Sequence, residues 1–161
     1  MKKSALRRLM TEPSVLESTA RRPNIVVLVG IPGAGKTTIT KALFSSHESV
    51  AMDKLPNRTR NAVDKMMMKL CAGGKDIVVD AANIDKITRM RFVRFAKDYG
   101  YDAHALFIDT SLDAALARNE MRDRKVPEGA IREYCRKLEV PTEAEGFRTV
   151  LTVWNDFDPR R

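Results

Sequence analysis

The sequence predicts an α/β fold: a parallel sheet of about five strands with helices on both faces. Three observations lead there. Short apolar runs of strand length alternate with segments of helical spacing, and a strand–helix alternation of this kind builds parallel sheets through crossover helices. The first run, "NIVVLV" from Asn24, is continuous and β-branched, the pattern of a strand buried on both faces. A glycine-rich turn, "GIPGAGKT", follows it directly and leads into a helical stretch.

The elements follow in order from residue 24. After the first strand a helix is expected over 36–46, then "SVAM" as a brief second strand. Residues 58–72 repeat apolar side chains at helical spacing, with Ala62, Met66 and Leu70 on one face, and Gly73-Gly74 closes that helix. "DIVVDA" is the third strand, 85–99 a helix ended by Gly100, and "AHALFID" the fourth strand. Ser111 is a helix cap with Asp113 in the first turn, and that helix is expected to reach Arg122. Another helix follows Pro127, and "FRTVLTVW" is the fifth strand. Residues 1–22 precede this pattern as a basic extension. Lys2, Lys3, Arg7, Arg8, Arg21 and Arg22 against Glu12 and Glu17 carry half of the net charge, and a loosely docked arm is the favoured reading. Residues 23–161 form one domain.

Composition narrows the function classes. At 161 residues, 43% hydrophobic and 31% charged, the chain is of ordinary globular make-up. No apolar run approaches the length of a bilayer span, and no apolar block follows the basic N-terminus, so neither a membrane segment nor a secretory signal is expected. Cys71 and Cys135 fit no metal or redox spacing and read as reduced thiols of a cytoplasmic protein. The net charge of +8 favours a polyanionic partner. His47 and His104 have no neighbours at ligand spacing, and Met66 to Met68 read as core or groove residues.

The glycine-rich turn carries the first chemistry. Gly30, four residues, then Gly35, Lys36 and Thr37 complete the G-x-x-x-x-G-K-[ST] pattern of a phosphate-binding loop. Its glycines let backbone N–H groups of the loop, which runs from Gly30 through Pro32, Gly33, Ala34 and Gly35, turn inward to face a bound anion, although Pro32 itself has no N–H. The next helix points its positive end at the phosphates. Lys36 can reach the β- and γ-phosphates, and Thr37, followed by Thr38, can hold Mg²⁺. ATP or another nucleoside triphosphate with Mg²⁺ is therefore expected. Asp80 closes the third strand, where a carboxylate suits a metal role, or alternatively caps a turn toward Asn83. Arg118 and Arg122, four apart, are expected on one helix face beside Arg124 and Lys125, where a mobile helical lid would bring guanidinium groups to the phosphates.

"GIPGAGKTT", an Asp after the second strand, "VVDAAN" followed by "RFAKDYGYD", "RNEMRDRKVP" and "EAEGFRTV" occur here in that order. In this ordered set the chain resembles polynucleotide 5′-hydroxyl kinases, the kinase module of phage and bacterial nucleic-acid repair enzymes. The resemblance spans roughly residues 24–154. It implies a P-loop kinase fold and transfer of the γ-phosphate of ATP to a 5′-OH end of RNA or DNA, with Mg²⁺. It implies Lys36 and Thr37 at ATP and metal, Asp53 as the general base, Arg122 as the lid arginine and Arg118 as a supporting contact. The "VDAAN" segment, with Asp80 and Asn83, would line the acceptor cleft, where Ala82 stands in place of a frequent Thr. The family's acceptor-phosphate arginine falls at Pro56, leaving Arg58 or Arg60 to replace it. The matched segment fills the chain, so a separate phosphatase or ligase partner is expected for later repair steps. Two other readings stand beside this one: a small-molecule P-loop kinase for a sugar or antibiotic, and a nucleotide-gated nucleic-acid-binding module without transfer.

Overall fold

The computed structural model describes residues 21–55, 57 and 59–160, and for Asp53 the backbone alone. The basic extension through residue 20, Pro56 and Arg58 lie outside the described residues. Five parallel strands form one sheet: β1 Asn24–Val29, β2 Glu48–Val50, β3 Ile77–Val79, β4 Asp102–Asp109 and β5 Thr149–Trp154. Their order is β2-β3-β1-β4-β5. The central strand β1 pairs Val26 with Val78 on one side and with His104 on the other. All six β1 residues are buried, as a β-branched run between two helical layers requires.

Five helices cover the two faces among the described residues: α1 Lys36–Leu43, α2 Arg60–Ala72, α3 Lys86–Tyr99, α4 Leu112–Glu120 and α5 Glu128–Lys137. Alternate sheet residues feed two cores. Ile25, Val27, Val79 and Phe107 pack with Met67 of α2 and Phe92 of α3. Val26, Leu28, Val78 and Leu106 pack with Ile39 of α1, Ala115 of α4 and Ile131 of α5. Cys71 is buried, Cys135 is half-buried, and both are free thiols. No helix among the described residues is long and apolar enough to cross a membrane.

Local chemistry sets the helix ends. Thr59, Asp85 and Ser111 each accept a hydrogen bond from the backbone N–H three residues on, which satisfies an otherwise orphaned donor. Helix α4 stops at Glu120, two residues short of expectation. The buried Asn119 side chain turns the chain there: its Nδ2 donates to the Val126 carbonyl at 2.8 Å and its Oδ1 accepts from the Val126 N–H at 2.9 Å. Arg122 therefore lies in the loop beyond the helix rather than on the helical face of Arg118. Helix α1 ends at Leu43 and β2 at Val50, after which Met52–Lys54 form a single 3₁₀ turn.

Candidate active site

The carboxyl ends of β1, β2 and β3 converge on one cleft of about 690 Å³, the place where open parallel sheets bind ligands. Its walls carry Lys36 and Thr37 from the phosphate loop, Met52 and Lys54 from the turn after β2, Asp80 after β3, and Arg118 and Arg122 from the α4 end.

The phosphate loop is held in its working shape by backbone bonds. Gly33 has φ 86°, a conformation that L side chains rarely adopt, and a Cβ there would sit 2.5 Å from the Ala115 carbonyl oxygen. The Gly30 N–H donates to the Ala82 carbonyl at 3.0 Å, tying the loop to the segment after β3. On the other side, Asn155 Nδ2 donates to the Ala34 carbonyl at 2.8 Å, and the Arg118 guanidinium donates to the Asn155 carbonyl at 2.9 Å. Lys36 Nζ donates to the carbonyls of Gly30 and Ile31 at 2.7 and 2.8 Å. Burial lowers its pKa to about 8; the Asp80 carboxylate opposes that shift and the Arg122 charge adds to it. The ammonium thus rests against its own loop, within reach of the Asp80 and Arg122 charges.

Asp80 and Thr37 line the same cleft, and their side-chain oxygens could serve Mg²⁺, which takes few protein ligands and completes its shell with phosphate and water. Among the described residues no cluster of three His, Cys, Asp or Glu side chains forms, so an all-protein metal cage is absent there. Thr38, Pro32, Gly33 and Gly35 line the same cleft, and Ala34 is buried behind it.

Asn83 also borders the cleft, but its amide is engaged in holding the turn. Nδ2 donates to Leu28 O at 2.7 Å and Ala81 O at 3.3 Å, while φ is 48°. Asp53 occupies the 3₁₀ turn between two cleft-lining residues, Met52 and Lys54. A side chamber of about 160 Å³ opens beside this turn, walled by Val50, Val63, Val79 and Phe92, with Arg60 and Arg91 among its lining. Arg60 is exposed at the start of α2, and Arg91 is paired with Asp64. Sequence reasoning missed Asn119, Asn155 and Tyr134. Asn155 follows the last strand, where no motif marks it, and Tyr134 reaches the cleft through the docking of α5.

The AAA domain family model matches residues 48–141, more than half of the chain. A putative bifunctional polynucleotide phosphatase/kinase of Acanthamoeba polyphaga mimivirus is 29% identical over 154 residues, covering 86% of this chain and 35% of its own length. Transcription factor bHLH140 of Arabidopsis thaliana is 25% identical over 162 residues, covering 92% of this chain and 18% of its own length. The chain thus spans about a third or less of the curated relatives it matches. Among solved structures, a gluconokinase from Sinorhizobium meliloti superposes with TM-score 0.61 at 17% identity, over 83% of each chain. The sheet order, the phosphate loop between β1 and α1 and these matches agree: the chain belongs to the AAA domain family and has the fold of a P-loop kinase.

Proposed function

We propose that the protein is an ATP-dependent polynucleotide 5′-hydroxyl kinase. One observation carries the reading: phosphate loop, β2 turn, Asp80 and the α4-end arginines line a single basic cleft. The mimivirus relative, whose description names a polynucleotide phosphatase/kinase, supports it, as does the charge of +8. In this reading the 5′-hydroxyl oxygen bonds to the γ-phosphorus and the bond from that phosphorus to the β–γ bridging oxygen breaks. The hydroxyl proton passes to the Asp53 carboxylate, and ADP leaves with the bridging oxygen. Lys36 exchanges its loop carbonyls for phosphate oxygens, and Arg122 neutralises charge that grows as the phosphoryl group transfers. Mg²⁺ held by Thr37 and Asp80 would supply charge neutralisation at the phosphates. Arg60, at the edge of the side chamber, is the described candidate for the acceptor phosphate, with Arg58 its neighbour in sequence.

The test is incubation with Mg²⁺, labelled ATP and 5′-OH oligonucleotides of RNA and DNA in several lengths. Label on the 5′ end is expected, abolished by Lys36→Ala and by Asp53→Asn, the latter with ATP affinity retained. Absence of label on every oligonucleotide overturns the reading. A small-molecule kinase is the second reading, favoured by the small, largely apolar side chamber and the gluconokinase-like fold. Acceptor binding that weakens steeply with salt supports the polynucleotide; salt-insensitive binding supports the small acceptor.

A further inference from the structure

Arg89 of α3 is a fully buried charge, and each of its three guanidinium nitrogens donates a hydrogen bond. Nε and Nη2 grip the Glu145 carboxylate at 2.8 and 2.7 Å. Nη1 donates to the carbonyls of Asn83, Ile84 and Glu139 at 3.0, 3.0 and 2.8 Å. A buried ion pair is weak evidence of a stabilising role, because apolar side chains of similar volume often do as well without the desolvation cost. What a guanidinium does that an apolar side chain does not is collect acceptors at fixed angles.

The acceptors it collects come from two segments that border the cleft from different sides. Asn83 and Ile84 form the cleft floor next to Asp80. Glu139 follows α5, the helix that carries the cleft residue Tyr134 and begins just after the arginine-bearing loop. The same two segments also bind each other: the Glu139 N–H donates to Ile84 O at 2.9 Å, and the Lys86 N–H donates to Glu139 Oε2 at 2.6 Å. Glu145 in turn closes its own segment by accepting from the Thr142 N–H at 3.2 Å.

We propose that Arg89, with Glu145, is a positioning residue that locks the acceptor floor at 83–85 to the C-terminal anchor of the lid at 138–145. The lid then meets the acceptor at a set distance from the phosphate loop. The lock touches no reactant and acts through backbone carbonyls. It rests on the phosphotransferase reading of the cleft, and it predicts a selective loss: acceptor use suffers while the phosphate loop, whose own bonds to Ala82 and Asn155 involve neither Arg89 nor Glu145, keeps its nucleotide.

Two variants test it. The double variant Arg89→Met with Glu145→Leu fills the site without charge, and Arg89→Lys keeps a charge without the fork. Hydrogen exchange is followed across 81–88 and 138–146, together with affinity for a non-hydrolysable ATP analogue and the transfer kinetics above. Faster exchange is expected in both segments together in either variant, with analogue affinity within about twofold of wild type. Transfer efficiency toward the acceptor should fall about tenfold or more, as expected for a displaced reactant. A folded variant with both segments exchanging as in the wild type overturns the proposal, as does loosening spread evenly over the sheet. If wild type labels no oligonucleotide, the functional reading fails while the exchange data still decide the lock. If wild type labels oligonucleotides and both variants retain wild-type exchange and kinetics, the lock alone fails.

Discussion

Asn119→Ala should loosen the loop after α4 at a cost that the structure lets us work out. The side chain is buried, and its two hydrogen bonds to the same residue, Val126, close the loop that carries Arg122. Each bond contributes about 1 kcal/mol net, and the half-buried Val126 amide is left to find water, so a loss of about 2–3 kcal/mol is expected. For a domain of this size that lowers Tm by roughly 5–10 °C. The informative comparison is Asn119→Asp. Ionised, it keeps the acceptor for the Val126 N–H but sets a carboxylate against the Val126 carbonyl. Protonated, it restores a donor in the same place. Thermal unfolding at neutral pH should therefore rank wild type above both variants, and the Asp variant should recover ground relative to Ala as pH falls toward about 4. A loss under about 0.5 kcal/mol for Ala, or an Asp variant as stable as wild type at neutral pH, would refute the clasp.

Four other outcomes follow from the structure. Gly33→Ala drives a Cβ to 2.5 Å from Ala115 O at φ +86°, so nucleotide affinity by titration calorimetry should fall by about 100-fold, because the loop moves out of its anion-binding shape. Gly129→Ala, in α5 with open space around it, should instead stabilise by up to about 1 kcal/mol. Arg122→Ala should lower turnover by about 100-fold with ATP affinity changed only a few-fold, if its charge acts mainly on the transferring phosphate; equal losses in both would contradict that. His104 is buried beside Asn24, at 3.2 Å, and burial lowers its pKa, with Asp102 opposing and Arg148 assisting. The unfolded chain then binds the proton more readily, so stability is lost as pH falls through about 6.5, and His104→Gln should flatten that acid limb of a chemical-denaturation series. An unchanged slope would remove His104 from the account.

Much of the site was legible because its signals are local. A phosphate loop needs glycines, a lysine and a hydroxyl at fixed spacing between a strand and a helix, and all of these are contiguous in "GIPGAGKT". Asp80 was legible for a similar reason, as the acid that ends an apolar strand. The arginine segment at the end of α4 was only half legible. Spacing placed Arg118 and Arg122 on one helical face, but the helix ends first, where the Asn119 side chain bonds the backbone of Val126 in the loop. The resemblance expects an acceptor-phosphate arginine where Pro56 stands, and residue type alone does not choose between Arg58 and Arg60 as its replacement.

Helix α3 draws the line between what the sequence by itself determined and what only the tertiary structure decided. "KITRMRFVRFAKDY" carries Arg89, Arg91 and Arg94, three chemically identical side chains. The sequence alone determines only that Arg89, Phe92 and Ala96 share one helix face; Ile87 and Met90, apolar as well, are exposed, so packing decides which face turns inward. Nor does the sequence determine why a buried guanidinium is tolerated there. Its partner, Glu145, and the carbonyl of Glu139 lie at least fifty residues further along the chain and reach it only after α5 has docked on the opposite side of the cleft. Backbone propensity and motif spacing are properties of neighbours in sequence, whereas satisfying a buried charge requires the whole fold to be in place.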